Sequence, residues 1–337
     1  YYDKSPINNS KKLLLSHKVQ SSGKKINKDD IADICVTNLE NGKTDKITST
    51  LAWNYQQGSQ LQWISENKFI FNSYDSFYFA QIFDLESSKV EKNIKYPIYS
   101  ISDDKKIYSS IDYSRIHKYR EGYGYLQNEY EDHDSLLKIC LLEDSKILIE
   151  LGKANFKEFI NKNFQHCWID HILFSPNSYD FVFLFRTVEN SSALSSYLFF
   201  YDYKKKKILN ILDTGMAGHG SWLDENDFII WARKKNITKA INNIDNFFLK
   251  KIIKLIRYLG VPNFVRKNLY GDNYIGFSKT NNQTYELPFE IPMKISGGHF
   301  SFMKNKDLMI SDTYHDHNNE SQIFIYSLRE KKIKYLN

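Results

Sequence analysis

Cysteine, proline and glycine are all scarce in this chain of 337 residues, which holds 3, 6 and 14 of them respectively. Three widely spaced cysteines (Cys35, Cys140 and Cys167) are too few, and odd in number, for a disulfide framework, so a reducing compartment fits best. So little glycine and proline excludes collagen-like and low-complexity classes. No run approaches the roughly 20 apolar residues of a spanning helix, which reads as a soluble or peripheral protein. The first ten residues lack an initiator Met and the basic-then-apolar layout of a secretion signal, which reads as a processed or cut end. Phosphate-cradling glycine loops and serine nucleophile elbows are missing as well. What the chain does have is 42% hydrophobic and 15% aromatic residues, with 24 Tyr and 23 Phe, enough to bury a large core built from strands.

The formal charge of +6 is concentrated in one place. Between Arg233 and Lys267 ten basic residues stand against a single acid, Asp245, so this stretch alone holds more than the whole excess. A general nucleic-acid surface is therefore excluded, because counterion release needs phosphate contacts spread along a groove. Within the stretch, Ile241, Ile244, Phe248, Ile252, Ile256 and Leu259 recur at three- and four-residue steps between lysines. That predicts a basic amphipathic helix inside an insertion over 235–268. The helix, over 238–259, suits an anionic membrane surface or the flank of the domain with its lysines in water. The expected location is the cytoplasm, with a position peripheral to the inner membrane as the variant.

Elsewhere the pattern is of short strands separated by Asn, Asp, Ser, Lys and Gly turns, an all-β reading. Five segments repeat the form of a hairpin: LQWISENKFIFNS from Leu61, YSISDDKKIYSSIDYSR from Tyr99, ILFSPNSYDFVFLFR from Ile172, GSWLDENDFIIWAR from Gly220 and FSFMKNKDLMISDTY from Phe300. Most are followed by a second pair of strands, and an incomplete unit opens the chain. Four strands per unit predict a single-domain β-propeller over 1–337, of six to seven blades, the closing one expected to be incomplete. A pair of β-sandwiches is the alternative.

Aligned on their apolar anchors Trp63, Ile101, Phe174, Trp222 and Phe302, the five hairpins place Gln60, Ile98, His171, His219 and His299 three residues before the anchor. The chain has only nine histidines, so three at one register of consecutive units is a signal. Innermost strands of a propeller line its channel. Convergent imidazoles with an amide oxygen suit a divalent transition metal; structural caps and an anion site stay open as the other readings. Further polar candidates are Asp312, Tyr314, His315, Asp316 and His317 in the last unit, Arg186 in the His171 unit, and Asp112, Arg115 and His117, placed on the second strand of the Tyr99 unit. Trp53, Tyr55, Gln56 and Gln57 form a candidate aromatic and amide platform for sugars.

The elements WNYQQGSQLQW, YSISDDKKIYSSIDYSRIHKYREGYGY, HILFSPNS and GGHFSF with ISDTYHD resemble bacterial TolB-like or tricorn-like propellers found among polysaccharide genes. The same repeats are similar to oligogalacturonate lyases. That resemblance implies a manganese ion held by His171, His219, His299 and Gln60, an acidic oligosaccharide as partner, and β-elimination from a uronate. A base is then needed: His315 is favoured by its reference pKa near 6.5, with Arg186 and Arg115 as the other candidates. The alternative function is a non-catalytic propeller that binds a glycan, or a protein of a surface-polysaccharide pathway.

Overall fold

The computed structural model describes residues 3–20, 25–160, 166–176, 179–188, 194–234, 271–287, 297–303, 307–313 and 320–336. The expected helix over 238–259, with the whole of the insertion over 235–268, and the stretch that carries His315 lie outside these residues. Among the described residues no helix is long and apolar enough to cross a membrane.

The fold is a β-propeller. Among the described residues its strands form six antiparallel sheets, five of four strands and one of three. The chain divides into two compact units, Asp3–Phe174 and Ser175–Asn337.

The first unit opens with the three-stranded sheet of β1 (Leu13–Val19), β2 (Ala32–Asn38) and β3 (Thr44–Thr50). A four-stranded sheet follows, of β4 (Gln62–Trp63), β5 (Lys68–Asp75), β6 (Phe77–Asp84) and β7 (Lys89–Ile94), and then another of β8 (Ser100–Ile101), β9 (Ile107–Ser110), β10 (Ser135–Leu141) and β11 (Ile147–Gly152). The unit ends on β12 (Cys167–Phe174).

Burial explains why the strands differ in sequence. The second strands read as continuous apolar runs because both of their faces are covered: Phe69, Ile70 and Phe71 of β5 are all fully buried. The last strands β3 and β7 face solvent along most of their length and carry Thr, Asp, Lys and Glu instead. Asn72 at 0% exposure is the polar exception in β5. Its Oδ1 accepts the Ile98 N–H at 2.7 Å, and its Nδ2 donates to Ile98 O and Tyr125 Oη. One buried amide thus satisfies both backbone groups of the residue ahead of the next sheet.

One sequence expectation is corrected in this unit. Asp112, Arg115 and His117 are not on a strand, because β9 stops at Ser110 and a helix, α1 (Tyr113–Tyr119), follows. Asp112 is its N-cap: the carboxylate accepts from the backbone N–H groups of Ser114 and Arg115, which would otherwise lack partners. The apolar and polar spacing of a short capped helix mimics that of a strand over so few residues.

The second unit contains β13 (Phe181–Val188), β14 (Leu194–Asp202) and β15 (Lys207–Gly215). It continues with the sheet β16 (Ala217–Trp222), β17 (Asp227–Arg233), β18 (Asp272–Ser278) and β19 (Gln283–Glu286). The last sheet is β20 (Gly297–Phe302), β21 (Leu308–Thr313), β22 (Ile323–Ser327) and β23 (Lys332–Leu336). Directly paired rings weld β13 to β14: Phe181 stacks on Tyr201 at 5.0 Å and Phe183 on Phe199 at 5.6 Å.

Candidate functional site

β4, β8, β12, β16 and β20 are each the terminal strand of a sheet. They are also the strands, or directly follow the turns, that carry the shared register. In the first unit that register is marked by the backbone. Gln60 and His171 have φ of 55° and 52°, in the left-handed region that costs a side-chain-bearing residue about 1–2 kcal/mol. The matching register thus holds two residues in one uncommon conformation, each three positions before its anchor, Trp63 or Phe174. They are two of the ten side-chain-bearing residues with positive φ among the described residues.

A polar network joins the two residues. Gln60 Nε2 donates to Gln57 Oε1 at 3.2 Å, and Gln57 Nε2 donates to Tyr99 Oη at 2.9 Å. The same phenol oxygen accepts the backbone N–H of His171 at 2.9 Å. Burial, with Asp170 and Asp3 close by, pushes the Tyr99 phenol well above its ordinary range. Gln60 is 1% exposed, and its Oε1 receives no hydrogen bond among the described residues.

The His171 ring is fixed by its neighbour in sequence. Nδ1 lies 2.6 Å from Asp170 Oδ1, and the other carboxylate oxygen accepts from Trp168 Nε1 at 3.0 Å and faces Arg120 Nη1 at 3.6 Å. Holding Nδ1 on a carboxylate is how the ring of a ligating histidine is oriented in metal sites.

In the second unit His219 and His299 come together, their ring centroids 4.2 Å apart. Each sits in a β-bulge: the pairing of β16 with β17 slips between Ala217 and Gly220, and that of β20 with β21 between Gly297 and Phe300. A bulge turns a side chain out of the regular alternation. Asp312 on β21 receives the His299 backbone N–H, and its Oδ2 lies 3.0 Å from His299 Nδ1. The second unit therefore repeats the arrangement of His171 with Asp170, an imidazole whose Nδ1 is on a carboxylate.

The two arginines are engaged structurally. Arg186 on β13 is buried, and its Nη1 donates to Ser196 Oγ at 2.6 Å, across a paired position of β14. Arg115 on α1 is 2% exposed; its Nη2 donates to the His133 carbonyl and lies 3.9 Å from Asp132, and its guanidinium covers the Tyr130 ring at 5.1 Å. His133 in turn places Nε2 2.9 Å from Asp112 Oδ2, which ties the stretch ahead of β10 to the cap of α1. Of the platform residues, Trp53 is buried with its Nε1 on Asp30 O, Gln57 belongs to the network above, and Tyr55 is 43% exposed, edge-on to Trp53.

Sequence reasoning did not single out Asp170, Tyr99 or Asp3. Asp170 could have been found from its place beside His171 in IDHI, whereas Tyr99 enters only through folding.

For a divalent ion the donors are of the right kind: imidazole nitrogens, with Nδ1 of His171 and His299 on carboxylates, and a buried amide oxygen that receives no hydrogen bond among the described residues. Among the described residues no group of three or more His, Cys, Asp or Glu side chains is placed to hold a metal ion.

No protein-family model matches the chain, and no curated protein does. Solved structures do. The chain is similar to an oligogalacturonate lyase from Vibrio parahaemolyticus, at 11% identity over 100% of this chain and 77% of that one, with a TM-score of 0.57. It is also similar to the β-propeller domain of the Trilobed protease from Pyrococcus furiosus, at 12% identity, 98% and 82% coverage and a TM-score of 0.51. A chain of a mitotic checkpoint complex aligns at 7% identity, 100% and 79% coverage and a TM-score of 0.52. Such identities show a shared fold. They leave the chemistry to the residues.

Proposed function

We propose that the chain binds a divalent transition metal, with manganese the first candidate, through His171, His219, His299 and Gln60, and acts on an acidic oligosaccharide by β-elimination. The observation that supports this reading is the recurrence, in both units and at one register, of a histidine whose Nδ1 rests on a carboxylate: His171 on Asp170 and His299 on Asp312. The oligogalacturonate lyase likeness supplies the substrate class.

Held by these residues, a divalent ion would supply Lewis-acid stabilisation of the negative charge that develops on the uronate as the C5 proton passes to a base and the C4–O bond breaks, its electron pair leaving with the departing sugar oxygen. The protein's own part is positioning. Asp170 and Asp312 orient the rings of His171 and His299, and the left-handed backbone at Gln60, in the turn before β4, and at His171, on β12, sets the direction in which those side chains leave the chain. Arg186 and Arg115 are poor proton acceptors, since a guanidinium stays protonated in proteins. We assign that role to His315. Incubation of the manganese-loaded chain with oligogalacturonate tests the proposal: ultraviolet absorbance from an unsaturated product is expected, and its absence with metal bound would reject elimination.

A second reading, a glycan-binding propeller without turnover, is favoured by the exposed Tyr55 ring set against Trp53, since a solvent-facing aromatic suits a sugar face. It is separated from the first by binding of oligogalacturonate without product.

A further inference from the structure

The segment ahead of β1 is tied down at several points in the first unit. The Pro6 carbonyl accepts from Leu15 N at 2.8 Å and from Trp63 Nε1 at 2.9 Å. Ile7 bridges Leu14, and the Asn8 side chain accepts from the Lys12 and Leu13 N–H groups while donating to Glu66. Anchored there, the segment brings two charged residues to the Tyr99 network. The Asp3 and Lys4 side chains are each only 7% exposed and pair at 2.8 Å through Asp3 Oδ2, and Lys4 Nζ stands 5.2 Å from the centre of the Tyr99 ring. Burial alone would raise the Asp3 carboxyl; Lys4, by charge and hydrogen bond, and then His171 outweigh it and hold it below the usual range.

Asp3 Oδ1 and Gln60 Oε1 are both buried side-chain oxygens that receive no hydrogen bond among the described residues. A buried carboxylate oxygen without a partner is costly. A carboxylate oxygen and an amide oxygen, together with the His171 imidazole, are donor types that a hard or borderline cation takes.

We propose that Asp3 is a further ligand of the cation at the Gln60 and His171 site, supplied by the segment that precedes β1. This rests on the metal reading above and extends it with a residue outside the three histidines and glutamine. The carboxylate brings negative charge to a set that is otherwise neutral. Lys4 holds the other oxygen and weakens the site through its own charge.

The test is titration of the whole chain with Mn²⁺, followed by loss of the free-ion electron paramagnetic resonance signal, for the wild type, Asp3→Asn, Lys4→Gln and His171→Ala. Asp3→Asn is expected to weaken binding by about tenfold or more, as ligand-sphere changes do, and Lys4→Gln to tighten it. If His171→Ala loses the metal while Asp3→Asn binds as the wild type does, or more tightly, Asp3 is no ligand and the metal reading survives. A wild-type chain that takes up no Mn²⁺ overturns both. Melting in EDTA checks the fold; should Asp3→Asn be unstable, unchanged affinity in Lys4→Gln overturns the inference by itself.

Discussion

His171 Nδ1 lies 2.6 Å from Asp170 Oδ1, and the carboxylate is itself held by Trp168 and faced by Arg120, so the ring is fixed in orientation. Asp170→Asn keeps the shape and loses the charge. It is expected to weaken Mn²⁺ binding by about 10- to 100-fold, the usual effect of losing a partner behind a ligating histidine. Isothermal titration calorimetry reads this; unchanged affinity would make the pair purely structural.

His17 on β1 supports the turn that carries Gln60. Its Nε2 accepts the Ser59 N–H at 3.3 Å and meets Ser59 Oγ at 2.8 Å, and burial pushes its imidazole down to about 4. In the unfolded chain the same group titrates near 6.5. The unfolded state therefore binds the proton first as pH falls. Stability from His17 is complete above about 6.5 and is lost progressively down to about 4, to the extent of about 3 kcal/mol. Urea unfolding at a series of pH values is expected to show this slope in the wild type and a shallower one in His17→Gln. Equal slopes would contradict it.

The bulges that carry the paired histidines differ in how much they tolerate. A Cβ on Gly298 would run into the Asp312 backbone and carboxylate, while one on Gly218 would meet Trp231 O at an ordinary 3.4 Å. Gly298→Ala is expected to cost about 1–3 kcal/mol by overpacking and to displace Asp312 from His299. Gly218→Ala is expected to be close to neutral. Thermal melting separates the two, and equal losses would argue against the bulge geometry.

The propeller was legible because its repeat is simple: buried second strands such as KFIFNS and FVFLFR read as apolar runs, and outer strands such as KVEKNI as polar ones. The register of Gln60, His171, His219 and His299 was legible for the same reason, since an anchor residue fixes its position three places earlier. What supports these side chains was not. Tyr99 meets His171 and Gln57 only through contacts of distant segments, 72 and 42 residues apart, and no spacing encodes them. The helix α1 was misread as a strand because Asp112 acts as a cap only once the chain has turned.

The most direct test is metal content. The chain purified without chelator, then loaded with Mn²⁺ and dialysed, is expected to retain a stoichiometric ion, and Gln60→Ala, His171→Ala, His219→Ala and His299→Ala are each expected to lower the retained amount. No retained metal in the wild type, or full retention in all four variants, would contradict the account.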